Sequence, residues 1–191
     1  MSLLITGGAG YIGSHTTRLL AESGERIIVL DSLELGHRGA IVSPGVELVE
    51  GDLGNPVLVE NIFSREKIDA VLHFAAWALV GESVEQPLKY YANNVAAPLV
   101  LLEAMCRHGT RQFIFSSTAA TYGNPERDLI AEDHPQNPIN PYGSSKLMLE
   151  RILADCGPAW GLRHVTLRYF NASGCSEDAL IGEDHTPETH L

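Results

Sequence analysis

The four consecutive apolar residues Ile27-Ile28-Val29-Leu30, closed by Asp31, narrow the fold of this chain more than any other feature. A strand with one wet face alternates apolar and polar residues. An unbroken apolar run suits a parallel strand covered on both faces. Strand-like runs recur at 3–6, 46–51, 70–74, 112–116 and 163–169, with 26–31 the second of the six. Helical spacing fills the intervals at 12–22 (ended by Gly24), 56–65, a long stretch 88–108, and 141–156. Pro141 suits a first helical position, and Pro98 predicts a kink or restart of the long helix. Residues 126–141, rich in Pro, Asp and Asn, read as a loop. The alternation predicts an α/β fold, a doubly wound parallel sheet of the Rossmann type with helices on both faces.

At 191 residues the chain is long enough for one sizeable core and short for two. Its net charge of -11, with no Lys/Arg cluster, argues against a nucleic-acid surface, which needs grouped cations. A single helix N-terminus still suffices to hold a small phosphate. Cys106, Cys156 and Cys175 form no CxxC pair, so reduced thiols in a cytoplasmic setting are expected. The histidines show no HxxxH or HExxH spacing, and no metal is expected. No apolar run approaches the ~20 residues that span a bilayer, and the first residues lack a signal-peptide layout, so no membrane partner is expected. Residues 182–187 read as a loop leading onward, and the chain reaches Leu191 without a closing element, which predicts a truncated protein.

Thr6-Gly7-Gly8-Ala9-Gly10-Tyr11-Ile12-Gly13 places Gly7, Gly10 and Gly13 between the first strand and the first helix. That is the context a pyrophosphate-binding turn requires: a sharp turn, close backbone approach and tight helix–sheet packing. A glycine triplet alone is weak evidence. Asp31, 18 residues after Gly13, strengthens it, because a carboxylate there accepts hydrogen bonds from ribose hydroxyls and repels a 2′-phosphate. NAD is therefore favoured over NADP, with Arg38 the one nearby residue able to soften the preference. Asp52 and Leu53 follow the third strand, where an acid can meet the adenine amino group.

Tyr142 and Lys146 share a helix face, and the hydroxyl-rich run Ser116-Ser117-Thr118 ends the fifth strand. A Lys ammonium beside the phenol is expected to lower its pKa, making Tyr142 a proton acceptor for a sugar or alcohol hydroxyl. The plainer reading of YxxxK, two amphipathic surface residues, loses weight in a dinucleotide fold.

Further segments complete a pattern: His73-Phe74-Ala75-Ala76, Val80-Gly81-Glu82-Ser83, Tyr90-Tyr91-Ala92-Asn93-Asn94-Val95, Thr118-Ala119-Ala120-Thr121-Tyr122-Gly123 and Leu167-Arg168-Tyr169-Phe170-Asn171. With the glycine turn and the Tyr142/Lys146 pair, they resemble the nucleotide-sugar enzymes of the extended short-chain dehydrogenase/reductase family over essentially the whole chain. The resemblance implies an NAD-dependent enzyme that epimerises C4 of a UDP-sugar through a 4-keto intermediate, with UDP-glucose and UDP-galactose foremost. Tyr142 is then the base, Lys146 its partner on the nicotinamide ribose, and Thr118 the hydroxyl on the sugar O4. Gly7, Gly10, Tyr11, Ile12, Gly13, Asp31, Ser32, Asp52, Leu53, Phe74, Ala75, Ala76, Asn93 and Tyr169 line the cofactor, and Asn171 contacts the substrate diphosphate. A homodimer through the helices near 88–107 and 141–156 is implied likewise.

Dehydratases of the family carry Asp-Glu after the Thr. Ala119 and Ala120 stand there and cannot move protons, which argues against dehydration. Ala78 replaces a Lys, and Ser32 an Asn, found in some relatives, leaving UDP-pentose or UDP-uronic acid as alternative substrates. The resemblance divides the chain into a dinucleotide domain, 1–171, and the start of a substrate-binding portion, 172–191. It makes turnover by these 191 residues alone weak or absent. From another class, a non-catalytic NAD-binding module competes with the enzyme. An intact Tyr142, Lys146 and Thr118 favour the enzyme.

Overall fold

The computed structural model describes residues 1–185, so Thr186 and Pro187 of the expected terminal loop lie outside the described residues. Six strands, β1 (Ser2–Thr6), β2 (Arg26–Asp31), β3 (Glu47–Glu50), β4 (Ala70–His73), β5 (Gln112–Thr118) and β6 (Arg163–Tyr169), form one parallel sheet in the order β3-β2-β1-β4-β5-β6. The chain reverses its direction of travel across the sheet between β1 and β4. Such a switch point opens a crevice at the carboxyl ends of the strands.

The unbroken apolar runs are explained by two layers of helix. Leu4, Ile28, Leu30, Val71, Phe113 and Phe115 face α2 (Pro56–Arg65), α5 (Ala97–His108) and α6 (Pro141–Trp160). Their neighbours Leu3, Ile5, Ile27, Val29 and Leu72 face the other way, against Leu20 and Ala21 of α1 (Tyr11–Glu22). Side chains alternate across a strand, so both registers of each run are buried.

The expected long helix is instead broken into pieces. Two short helices, α3 (Val80–Glu85) and α4 (Pro87–Tyr91), precede a π-helical turn at Ala92–Ala96 that feeds α5. Pro98 has no N–H to give to the carbonyl of Asn94, and its ring crowds that carbonyl. The turn widens there rather than kinking at Pro98 itself. Helix α6 runs past Cys156 and accommodates Pro158 in its last turn before ending at Gly161, whose φ of +80° is left-handed. Strand β5 continues to Thr118 because it stays in register with β6 as far as Thr118↔Tyr169.

Candidate active site

The crevice at the switch point begins with the glycine turn. Gly7 has φ +72°, and a Cβ there would sit 2.4 Å from the Ala75 amide nitrogen. A Cβ on Gly13 would sit 2.1 Å from the Gly7 carbonyl oxygen. Both positions are closed by packing. Gly10 differs, since a Cβ would meet only the Gly7 carbonyl at 3.5 Å. Its bareness leaves space on the cleft side, where α1 starts with no side-chain cap at Gly10. That unfilled helix end is what an anionic diphosphate needs.

Asp31 ends β2 with its carboxylate held on two sides. The Ala9 amide donates to Oδ2 and the Leu33 amide to Oδ1, each at 2.9 Å. Each carboxylate oxygen has a second acceptor site, so the group retains capacity for a diol. Arg38 is committed elsewhere, to Glu50 at the end of β3. Asp52 caps a local turn, accepting from the Gly54 amide at 2.5 Å. Ser32, Asp52, Leu53, Tyr11 and Ile12 line the cleft with the glycines and Asp31, as do Phe74, Ala75, Ala76, Asn93, Thr118, Tyr142, Lys146, Tyr169 and Asn171. The sequence-derived residues are therefore brought to one continuous groove. Ser116 and Phe170, from two of the singled-out segments, also border it, as do Leu35, Trp77 and Glu183, which no local pattern marked.

The Tyr142/Lys146 pair stands at the carboxyl end of β5. Pro141 opens α6, and Asn140 caps it by accepting from the Gly143 amide at 2.8 Å. The Lys146 ammonium is buried, donates to the Ser116 carbonyl at 2.9 Å and lies 6.0 Å from the Tyr142 ring centre. Burial drives its pKa down to about 7. The expectation that Lys146 lowers the Tyr142 pKa is corrected here. Burial pushes the phenol up, and the opposing influence is the neighbouring Thr118 hydroxyl, not Lys146. At this separation the ammonium exerts less than desolvation does.

Two supporting arrangements lie within segments the sequence singles out, though no role is legible there for His73 or Asn94. His73, fully buried at the end of β4, bonds Thr6 through Nδ1 at 2.6 Å and stacks on Phe115. Burial, and the nearby Lys146 charge, lower its pKa to about 3, so the imidazole is neutral. Asn94, in the π-helical turn, accepts from the Trp77 amide and donates to the Trp77 carbonyl, both at 3.0 Å, and donates to Ser145 at 3.2 Å. It joins the strand β4 exit to the start of α6. The doubled Asn93-Asn94 pair was the available signal: Asn93 borders the cleft while Asn94 faces the protein.

Fold and site together define a Rossmann-type dinucleotide-binding domain with a tyrosine, a lysine and a threonine hydroxyl gathered at its switch point. The chain belongs to the NAD-dependent epimerase/dehydratase family, whose profile matches residues 3–187. It is 53% identical to the UDP-glucose 4-epimerase of Lactobacillus helveticus, over all of this chain and 58% of that protein. The crystal structure of UDP-glucose 4-epimerase from Brucella ovis in complex with NAD superposes with a TM-score of 0.95 at 50% identity, covering 100% of this chain and 58% of that one. UDP-glucose 4-epimerase from Bifidobacterium longum, solved with NAD+ and UDP, gives 0.93 at 40% identity, covering 96% and 57%. The chain thus spans little more than half the length of these relatives. Among the described residues no helix is long and apolar enough to cross a membrane, and no group of His, Cys, Asp or Glu is arranged to hold a metal.

Proposed function

We propose that this chain holds NAD in the groove between the glycine turn and Tyr142, and that the protein it represents epimerises C4 of a UDP-sugar, UDP-glucose and UDP-galactose foremost. The observation that carries the reading is the convergence of Tyr142 and Thr118, with the buried Lys146 ammonium behind them, on the same groove as the bare face of Gly10. Gly10 and the uncapped start of α1 suit the diphosphate, and Asp31 suits the adenosine ribose. NAD held there by the glycine turn and Asp31 would supply a reversible hydride acceptor for the sugar's C4, so the overall reaction would be redox-neutral.

The chain's own residues manage the proton. Thr118 is placed to hold the sugar O4–H, and Tyr142 to accept its proton as the C–H bond breaks and return it afterwards. A burial-raised phenol is a weak acid on its own, so the reading requires the cationic form of Lys146 and the cofactor's positive charge to favour the phenolate. Lys146 offers two further N–H donors besides the one on Ser116, suited to ribose hydroxyls that restore its charge. Asn171, at the groove's edge, is assigned to the substrate diphosphate.

We assign residues 1–171 to the dinucleotide domain and the remainder to the start of a substrate-binding portion. Three free thiols accord with a cytoplasmic setting. A homodimer through the helical face that exposes Val84, Leu88 and Met148 completes the reading.

Fluorescence titration tests the cofactor assignment. NADH binds this chain and NADPH binds at least roughly tenfold more weakly, because Asp31 repels the 2′-phosphate. Equal affinity for both overturns it. Conversion of UDP-galactose to UDP-glucose with added NAD tests the reaction. Tyr142→Phe keeps NADH binding and removes whatever conversion is measured, and conversion undiminished in that variant overturns the base assignment.

A further inference from the structure

The walls around Tyr142 are tied together behind it by one buried carboxylate. Glu150 lies on α6 one turn beyond Lys146 and two beyond Tyr142, and only 8% of it is exposed. Its Oε1 accepts from the Ser117 hydroxyl at 2.5 Å and from Arg168 Nε at 3.1 Å. Its Oε2 accepts from Arg168 Nη2 at 2.7 Å, Arg168 Nε at 3.2 Å and Gln136 Nε2 at 3.0 Å. Arg168 continues the network through Nη1 to the Tyr122 hydroxyl at 2.8 Å and the Glu132 carbonyl at 2.9 Å.

The register of the sheet gives this network its meaning. Ser117 and Arg168 are partners across β5 and β6, and both bond Glu150. The next pair along, Thr118 and Tyr169, borders the groove. Alternation along a strand turns successive side chains to opposite faces, so fixing one pair fixes the aim of the next. A purely stabilising role accounts poorly for this arrangement. A buried ion pair costs about as much in desolvation as it returns, and apolar residues of similar volume do as well. Burial drives the Glu150 carboxyl up, and Arg168, Ser117 and Gln136 more than reverse it, so the group is ionised and fully engaged.

We infer that Glu150 is a positioning residue of this site: by fixing Ser117 and Arg168 as one register pair, it sets the aim of Thr118 into the groove that Tyr142 borders. The inference rests on the acid–base role proposed for Tyr142, yet its test needs neither cofactor nor turnover, whereas the cofactor assignment stands or falls on NADH titration. The other groups facing the Tyr142 ring, Tyr90 at 6.5 Å between centroids and Lys146 at 6.0 Å, are untouched by the substitutions below.

The chain is labelled with ¹³C at tyrosine Cζ, the Tyr142 resonance is assigned with Tyr142→Phe, and its titration is followed from pH 8 to 12.5, with the fold monitored in parallel by near-ultraviolet circular dichroism. Thr118→Val sets the reference, an upward move of about one pH unit on loss of a hydroxyl that favours the phenolate. Glu150→Ala and Ser117→Ala produce the same move, and neither adds to it in the Thr118→Val background. Glu150→Gln, which still accepts from Ser117 and Arg168, restores most of it. If Glu150→Ala unfolds, Ser117→Ala alone decides. A Tyr142 titration unmoved by Ser117→Ala or Glu150→Ala, with only thermal stability lowered, overturns the inference. So does a titration unmoved by Thr118→Val, which also removes Thr118 from the proton relay.

Discussion

Replacing Lys146 by Met is expected to stabilise the cofactor-free chain, and to do so only below about pH 10. Burial lowers the Lys146 pKa from an ordinary 10.5 to about 7. Between those values the unfolded chain carries a proton that the folded chain has released, so stability rises with pH across this window. Below about pH 7 both states are protonated, and the folded chain bears the full penalty of a buried ammonium. A difference of about 3.5 pH units at 1.36 kcal/mol each is roughly 4–5 kcal/mol. Met keeps the length and apolar stem but forfeits the hydrogen bond to the Ser116 carbonyl, worth about 1 kcal/mol. The variant should therefore exceed the parent by about 3 kcal/mol at pH 6, with the gap closing by pH 10.5. Urea denaturation of both proteins at intervals from pH 6 to 10.5, with midpoint and m-value fitted separately, measures it. Groups that do not feel Lys146 cancel in the difference, and His73, which does, is kept neutral in the folded chain mainly by its own burial. A gap that does not change with pH, or a less stable variant at pH 6, refutes the argument and means the ammonium is well solvated in the folded chain.

Two glycines of one turn should respond oppositely. Gly13→Ala drives a Cβ onto the Gly7 carbonyl and should cost at least about 1–3 kcal/mol in denaturation, with loss of NADH binding. Gly10→Ala meets only an ordinary contact and should leave the melting temperature nearly unchanged while NADH fluorescence titration fails. Asn94→Ala removes the partner of both Trp77 backbone groups and should cost about 2–4 kcal/mol by urea titration. Thr17 has a buried hydroxyl without a hydrogen-bond partner among the described residues, so Thr17→Val should raise stability by about 1 kcal/mol, read as a higher urea midpoint at unchanged slope.

The strands and the groove were legible because each rests on a local pattern. An apolar run such as 27–30 can be buried on both faces only between two helical layers, and glycines spaced like 7, 10 and 13 suit few other turns. Tyr142 and Lys146 were legible through helical spacing. What spacing does not convey is environment. Desolvation of Tyr142 and Lys146 is a property of everything packed around them, and it reversed the expected direction for the phenol. Asn94 and Glu150 escaped notice for a related reason. Their partners, Trp77 and Ser145 for one and Ser117, Gln136 and Arg168 for the other, lie 14 to 51 residues away in the chain. The broken helix before α5 shows the same limit on a smaller scale. Pro98 was visible, but the turn that yields to it is decided by where Asn94 must point.

The two edges of the sheet are unlike, and that governs how the chain behaves in company. Strand β3 is short and guarded, with Glu47 bridged to Arg26 and Arg65, and Glu50 to Arg38. Strand β6 runs for seven residues, pairs on one side with β5, and among the described residues meets no strand on the other. Val165 and Leu167 stand exposed along it. A row of open amide and carbonyl groups beside apolar side chains is a template for another strand. The colloidal behaviour of these residues should therefore hinge on this margin: crowding promotes strand-to-strand association there, and a lysine at position 165 counters it, with little consequence for the groove, which β6 meets only at its far end, at Tyr169.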